Sequence, residues 1–264
     1  FSYDQGFQQP TRTPKMADSY TFASVANEMA VLRHSDPNSD PVLPYTPEDL
    51  AKFKAGKEPG YRTTDWYRRT MHKWVPQHRT NVSVSGGSDR INYFFSVGEL
   101  MQRDRFKESS GKYRQYNVRS NIDVKIARSL TMGLNLAGTF DKRHVPYFSS
   151  TEMASHIFLY HPYWETYWPG TNYLKPLRGD QNWVNMVSDN AGYHDLENKK
   201  FQGTLFLKWE VPWVKGLMLE ASGSYDTLHE YWKTFRTPSY VYHEDGEGGY
   251  VKKLDGMGPA KAQL

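Results

Sequence analysis

The clearest pattern in the chain is a pair of alternating runs between residues 112 and 140. On the first run, one side carries Tyr116, Val118, Ile122, Val124 and Ile126, interrupted only by Ser120, and the other carries Asn117, Arg119, Asn121, Asp123 and Lys125. On the second run, Leu130, Met132, Leu134, Leu136 and Phe140 alternate with polar positions that include Thr131, Asn135 and Thr139. A period of two predicts two strands, joined by a tight turn at 127–129, with one apolar and one polar face. Such strands suit the wall of a membrane barrel, but soluble sheets also alternate, so the pattern alone leaves both open.

The same period recurs elsewhere and predicts about seven strands in all. The other five cover residues 1–7, 77–85, 91–101, 201–211 and 217–231. Gly-rich sequence at 86–90 and Pro-containing sequence at 212–215 supply short turns. Residues 18–32, 46–56 and 65–73 carry helical signals, among them Thr46 as a capping residue followed by Pro47. The tail from 232 onward, with EDGEGG at 244–249, is predicted to be a loop.

The connections between these strands alternate in length. Two long loops, 8–76 and 141–198, and a medium loop at 103–111 lie at one end, and the short turns lie at the other. This layout is typical of outer-membrane barrels, whose periplasmic turns are short and whose extracellular loops are longer. We therefore predict an all-β fold, a fragment of a transmembrane antiparallel β-barrel with long, partly helical extracellular loops. A soluble β-sandwich is the alternative.

Composition narrows the possible functions only in part. The net charge is +4 without a concentrated basic run, which disfavours a nucleic-acid-binding protein. The chain has no Cys, so neither a disulfide framework nor a thiolate metal site is possible. Aromatic residues make up 15% of the chain, with 19 Tyr and 8 Trp, which is typical of membrane interfaces and of sugar- or protein-binding surfaces. The mean hydropathy is −0.77, and no apolar run reaches the length of a transmembrane helix.

Two adjoining blocks carry a family resemblance. Residues 80–106 contain N-hydrophobic-S-V-S-G-G at Asn81 to Gly87 and Y-F-x-S-x-G at Tyr93 to Gly98, and residues 112–126 contain Y-N-x-R-x-N-I-D from Tyr116 to Asp123. Together these motifs resemble the SusC/RagA family of TonB-dependent outer-membrane transporters. Glu99 departs from the pattern, which usually has an aromatic residue there. Gln9-Pro10-Thr11 and Thr64 to Tyr67 also look like the first extracellular segment of that family.

The resemblance implies more than the pattern does. It implies that residues 1–264 are part of the barrel domain of a 22-stranded plugged transporter, with the plug, the TonB-contacting segment and the remaining strands lying outside this chain. The expected function is TonB-dependent import of a bulky nutrient, an oligosaccharide or alternatively a peptide, across a Gram-negative outer membrane of the Bacteroidetes type. The expected partners are a SusD-like surface lipoprotein, TonB and membrane lipid. A soluble glycan-binding module is the alternative from another class of protein.

The second long loop contains the sharpest candidate site. Tyr160, Tyr163, Trp164, Tyr167 and Trp168 have the spacing of one helix face, with Pro162 in the first turn, and Tyr173 and Trp183 lie nearby in sequence. They predict an aromatic platform that stacks on a sugar or holds a peptide. The alternative is that they pack the loop onto the barrel rim or a partner lid, as amphipathic stripes usually do. Trp66, Tyr67 and Trp74 in the first loop fit partner contact or loop packing in the same way.

The polar face of the central strand is a second candidate. Arg119, Asn121, Asp123 and Lys125 are predicted to face the lumen, where they could line a solute path or contact the plug. Catalysis is disfavoured, because nothing singles out two of the acids Asp226, Glu230, Glu244 and Asp245 as the paired carboxyls a glycosidase needs. The scattered His residues do not have metal-site spacing. We expect no enzyme activity, cofactor or metal.

Overall fold

A computed structural model describes residues 1–256, 259 and 261–263. Its main element is a seven-stranded antiparallel sheet in which each strand pairs with its neighbours along the chain. The strands are β1 (Ser2–Gln8), β2 (Val75–Gly87), β3 (Ile91–Arg103), β4 (Lys112–Ala127), β5 (Leu130–Pro146), β6 (Gly192–Glu210) and β7 (Met218–Arg236). The prediction of about seven strands in a meander is thus confirmed. In the described part of the chain, β1 and β7 each have a sheet partner on one side only.

The strands extend further toward the long loops than their apolar alternation predicted. The predicted loops 8–76 and 141–198 are in fact 9–74 and 147–191, because β5 continues to Pro146 and β6 begins at Gly192. In this extension the ladder joins charged and polar residues, for example Lys142 with Glu197. Backbone pairing does not require apolar side chains, so an apolar pattern marks only part of each strand.

The pairing register keeps the two faces distinct across the whole sheet. Ile122, Leu134 and Leu205 are direct cross-strand neighbours on the apolar face. Asn121, Asn135 and Thr204 occupy the next row, on the polar face. A bulge between Lys125 and Ala127 is the one irregularity in these two pairings.

The apolar face is uncovered. Leu134 is 36% exposed and Leu207 is 41% exposed. A β-sandwich would cover this face with a second sheet, and the only other sheet among the described residues is the hairpin β8 (Tyr240–Glu244) and β9 (Tyr250–Leu254). That hairpin is joined instead to the second long loop, at Leu174. No helix in the described part of the chain is both long and apolar enough to cross a membrane.

The hydrophobic core lies in the long loops rather than in the sheet. We call this region the loop layer, and its core joins residues from both long loops, from the β3–β4 loop and from the short helices. The core residues are Trp66, Met71, Phe106, Phe148, Met153, Ile157, Tyr160, Trp183, Val184, Met186, Val187 and Ala191. Burial of these side chains stabilises the long loops as a folded layer at one end of the sheet.

Short helices with well-defined ends support the loop layer. The predicted helices are present as α1 (Ser19–Arg33), α2 (Pro47–Ala55) and α3 (Trp66–Thr70). The Thr46 hydroxyl accepts a hydrogen bond from the Asp49 amide at the start of α2, and Gly56 ends that helix at φ 61°. The next two helices are α4 (Ser150–Ile157) and α5 (Trp183–Met186). A short 3₁₀ turn follows at Asp189–Ala191.

Two expectations for the loops are wrong. The aromatic stripe at 160–168 is not helical, since the chain there forms turns and irregular structure. The helix lies earlier, in α4, where Ser149 and Glu152 form a reciprocal capping box. The tail is not all loop either, because it contains the β8–β9 hairpin.

The first prediction concerns the side chain that joins the two long loops. Trp66 is 1% exposed, so Trp66→Ala should open the loop layer locally at a cost of about 3–5 kcal/mol. Limited proteolysis should then cut residues 9–74 and 147–191 faster. Trp74→Ala is the matched control, because Trp74 is 49% exposed. Equal protease resistance of both variants would contradict a core centred on Trp66.

Candidate functional site

The two long loops are joined by hydrogen bonds at one seam. The Thr64 amide donates to the Pro162 carbonyl at 2.6 Å, and the Trp66 Nε1–H donates to the His161 carbonyl at 2.9 Å. The Thr64 hydroxyl donates to the Trp164 carbonyl at 3.0 Å. The segment predicted to be an aromatic helix therefore uses its backbone carbonyls to hold the first loop.

The side chains of Tyr163 and His161 are hydrogen-bonded to each other inside this seam. The Tyr163 hydroxyl lies 3.0 Å from the Tyr45 hydroxyl and 2.7 Å from His161 Nδ1. Burial raises the pKa of Tyr163, and the Tyr45 hydroxyl adds to that rise. Burial, and then the positive charge of Arg178, lower the pKa of His161. The imidazole is therefore held neutral between aromatic rings, with the ring of Phe22 at 4.6 Å and that of Trp164 at 4.3 Å.

Tyr160 and Trp183 are not available to a solute. Both lie in the core of the loop layer, and the Tyr160 hydroxyl accepts a hydrogen bond from the Trp183 amide at 2.8 Å. The Trp183 ring stacks on His156 at 3.9 Å. Burial raises the pKa of Tyr160. For these two residues the structure corrects the predicted binding role, because buried rings that pack the loop cannot stack on a ligand. Trp164 is also packed against this core.

An exposed aromatic group lies further along the same loop. Tyr173 is 41% exposed and stacks on Tyr242 with the ring centroids 4.4 Å apart. Tyr250 approaches both Tyr173 (5.3 Å) and Trp168 (5.4 Å). We call Trp168, Tyr173, Tyr242 and Tyr250 the tyrosine patch. Tyr167, also exposed, lies beside it in an isolated bridge with Leu174.

Backbone contacts hold the tyrosine patch in place. The Trp168 Nε1–H donates to the Tyr242 carbonyl at 2.6 Å, and the Tyr242 amide donates to the Leu174 carbonyl at 2.9 Å. The Lys175 ammonium lies 4.5 Å from the Trp168 ring centroid. The result is a rigid surface of ring faces with polar edges, which can stack on a sugar ring or on the flat side chains of a peptide.

Two of these four residues were not identified from the sequence. Tyr242 and Tyr250 belong to the hairpin in the tail that was predicted to be a loop. The signal was present, because two short runs rich in Tyr and Val flank the turn residues EDGEGG.

The four polar residues predicted on β4 do share one face. Arg119 and Asn121 are paired with Ala137 and Asn135 on β5, and Asp123 and Lys125 continue the same row toward the turn. Above them, the Asn117 side-chain oxygen accepts hydrogen bonds from Gln115 (2.9 Å) and Thr139 (3.2 Å). This face thus presents amide groups, hydroxyl groups and charged side chains of both signs. That they line a solute path stays a prediction.

Three of the acids considered for catalysis lie in a hairpin turn or on the sheet and not as a pair of neighbouring carboxyls. Asp245 accepts hydrogen bonds from the Glu247 and Gly249 amides, which lower its pKa and make it the turn residue of the β8–β9 hairpin. Asp226 and Glu230 lie on the polar face of β7, paired with Gln202 and Asn198. Among the described residues, no group of three His, Cys, Asp or Glu side chains is placed to hold a metal ion.

The fold resembles that of known importers. No protein-family model matches the sequence, and no curated protein matches it. Among solved structures, the chain is similar to chains of the RagAB peptide importer in its closed-closed state (TM-score 0.65, 16% identity) and its open-open state (TM-score 0.62, 16% identity). It is also similar to a chain of the RagAB peptide transporter (TM-score 0.61, 18% identity). Each alignment covers 89% of this chain and 28% of the importer chain.

The second prediction concerns pH and the His161 seam. An imidazole with a lowered pKa stays neutral in the folded loops, while in the opened loops it takes up a proton near its ordinary value of about 6.5. The free energy that keeps the seam closed is therefore independent of pH well above this value. It falls as the pH drops below this value, until the pH reaches the pKa of His161 in the folded loops. Amide hydrogen exchange of residues 18–27 and 160–164 should therefore show protection factors, corrected for the intrinsic pH dependence of exchange, that fall between pH 7.5 and 5.5.

A matched pair of variants tests the assignment to His161. His161→Gln should remove this pH dependence, whereas His72→Gln, at an exposed position, should keep it. The assignment fails if exchange at the seam follows the same pH profile in His161→Gln as in the unmodified protein.

Proposed function

We propose that this chain forms part of the wall and mouth of a TonB-dependent outer-membrane transporter of the SusC/RagA type. The observation that carries the proposal is the uncovered apolar face of a sheet whose long connections all lie at one end. Such a face is stable when it meets lipid, with the polar face turned toward a wet lumen. The similarity to RagAB importer chains supports this arrangement of strands.

The height of the apolar band fits a membrane. On β5 the band runs from Leu130 to Phe140, and Lys142 follows on the same face. At about 3.3 Å per residue this stretch is roughly 33 Å long. Tilted by about 45°, it rises roughly 23 Å, which is close to the ~25 Å apolar band of outer-membrane barrels.

Aromatic rings mark both borders of the band. Near the short turns, the rings of Trp209 and Trp213 lie 5.5 Å apart, and Trp213 is exposed. Near the long loops, Tyr116 and Phe140 are direct cross-strand partners. Aromatic girdles at these two levels are typical of membrane barrels.

Closure of the wall requires further strands. The edges of β1 and β7 carry unpaired backbone groups, which cannot face lipid without partners. In a 22-stranded barrel these edges would pair with strands beyond residues 1–264, and the plug and the TonB contact would lie there too. A SusD-like surface lipoprotein would cover the mouth formed by the loop layer.

We infer that the solute is a peptide or an oligosaccharide that contacts the tyrosine patch. The RagAB neighbours are peptide importers, which supports a peptide. The exposed ring of Tyr173, stacked on Tyr242, supports an oligosaccharide equally well by its chemistry. Tyr167 and Trp168 would contact the solute, as predicted from the sequence. Arg119, Asn121, Asp123 and Lys125 would line the lumen.

The proposed function is tested with the complete protein in its native host. Fractionation should place it in the outer membrane, and a strain that lacks it should lose uptake of either labelled peptides or labelled oligosaccharides. Recovery of the protein in the soluble fraction, or unchanged uptake of both solutes, would refute the proposal.

The third prediction compares neighbours on β5 that point to opposite faces. Leu134→Arg places a charge in the middle of the lipid-facing band and should cost about 2–4 kcal/mol of folding free energy in lipid vesicles. Asn135→Arg places the same charge on the polar face and should cost much less. Urea titrations of the complete protein in vesicles measure both. A larger cost for Asn135→Arg would reverse the assignment of the faces.

The fourth prediction concerns the tyrosine patch. Each aromatic contact contributes about 0.5–1.5 kcal/mol beyond burial, so Tyr173→Ala combined with Tyr242→Ala should raise the half-saturating solute concentration about tenfold. Tyr20→Ala, which removes an exposed ring on α1, is the control and should leave it unchanged. Uptake is compared at equal surface amounts of each variant. Unaltered uptake in the double variant would exclude a role for the patch.

A further inference from the structure

A cluster of positive charges lies directly above the apolar band on the same face of the sheet. Arg114 on β4 and Lys142 on β5 are direct cross-strand partners. Lys112 is the next residue of β4 on this face toward the long loops. Lys199 on β6 is paired with Phe140, which is the next residue of β5 on this face toward the short turns. These cations line a crevice of about 360 Å³. We call it the basic crevice.

Four cations and two carboxylates, Asp141 and Glu197, line the crevice, so its lining carries a net positive charge. Arg114 Nε is 3.5 Å from Glu99, on the β3 side. Lys142 Nζ is 2.7 Å from Glu197, on the β6 side. Asp141 also borders the crevice, but it belongs to the polar face, where it accepts a hydrogen bond from Asn198 at 3.1 Å.

Between Arg114 and Lys142 two like charges therefore face each other. Like charges directly opposite on neighbouring strands destabilise a sheet. In the described part of the chain, Lys112 has no carboxylate within ion-pair distance, and the charge of Lys199 acts on Glu197, which already pairs with Lys142. An anion from outside the chain, placed between the two strands, would relieve this repulsion.

The lower side of the basic crevice is apolar. Tyr116 and Phe140 form its floor, and Val118 and Leu136 continue the surface toward the middle of the band. A ligand that fills this site therefore has a negative head and a hydrocarbon tail. Because the crevice lies at the long-loop end, its level is that of the headgroups in the outer leaflet.

The opposite border of the band has no such cluster of cations on its paired strands. At the short-turn end of the same face, the strands carry Ile91, Leu130, Trp209 and Leu219. The basic residues at that end, Arg90, Arg128 and Lys215, lie in the three short turns and are not cross-strand neighbours. The cross-strand cluster of cations is thus found at the long-loop border, which is the level of the outer leaflet.

We propose that the basic crevice binds the phosphate of a phosphorylated lipid of the outer leaflet, whose acyl chains lie on the apolar band below. Arg114 and Lys142 hold the phosphate between them, with Lys112 and Lys199 adding charge. The inference rests on the proposed function, because it requires the apolar face to meet the membrane. It adds a specific lipid site that solute import does not require.

The test uses the complete protein, purified in detergent, stripped of lipid and exposed to phosphorylated lipid A, to dephosphorylated lipid A or to inorganic phosphate. Binding is followed by native mass spectrometry. The double variant Arg114→Gln/Lys142→Gln should bind phosphorylated lipid A at least tenfold more weakly than the unmodified protein. Dephosphorylated lipid A should bind equally weakly to both.

Arg143→Gln/Lys200→Gln is the matched control, because these cations lie at the same height on the polar face. It should bind phosphorylated lipid A like the unmodified protein. Thermal unfolding of each variant in detergent confirms that the barrel is intact. The proposal is overturned if the two double variants lose equal affinity, if the crevice variant loses none, or if inorganic phosphate at equal concentration displaces the lipid.

The outcomes separate this inference from the proposed function. A protein that fractionates with the outer membrane and imports its solute, yet binds lipid A alike with and without Arg114 and Lys142, refutes the lipid site only. A protein that does not enter the outer membrane refutes both.

Discussion

Backbone pairing in one continuous meander is the constraint on which the rest of the molecule depends. Each strand from β1 to β7 follows its neighbour in antiparallel register, so the alternation on one strand is transmitted to the next. A slip of one residue anywhere would exchange the two faces of a strand. Because the register holds, Leu134 and Leu205 lie in one apolar surface, and Asn135 and Thr204 lie in one polar surface.

This sheet does not contain the hydrophobic core. Its two faces are open, and the tightly packed apolar side chains lie in the loop layer instead. The division fits the proposed place in a membrane wall, where lipid would replace a protein core for the strands while the loops must be stable in water. It also places the tyrosine patch, with the exposed ring of Tyr173, on a folded base.

The sequence predicted the strands well because their period of two is a local property. It predicted their ends poorly at Phe140 and Phe201, where apolar alternation stops while the hydrogen-bonded ladder continues through Lys142 and Glu197. The aromatic spacing at 160–168 suggested a helix, but spacing alone does not provide the caps. The capping box at Ser149 starts α4 earlier, and the aromatic rings are positioned by contacts with the first loop. Such contacts between distant segments cannot be read from a local pattern.

The seam between the loops also bears on the order in which the parts of the chain fold. Tyr45 and Tyr163, which meet there, are 118 residues apart in the chain. Contacts between such distant residues form late, because a long stretch of chain must first be ordered. The strands from β2 to β5 lie between these two residues, so we expect the meander to assemble before the seam closes. The sheet would then form first, and the loop layer would take its final shape only once the strands are in place.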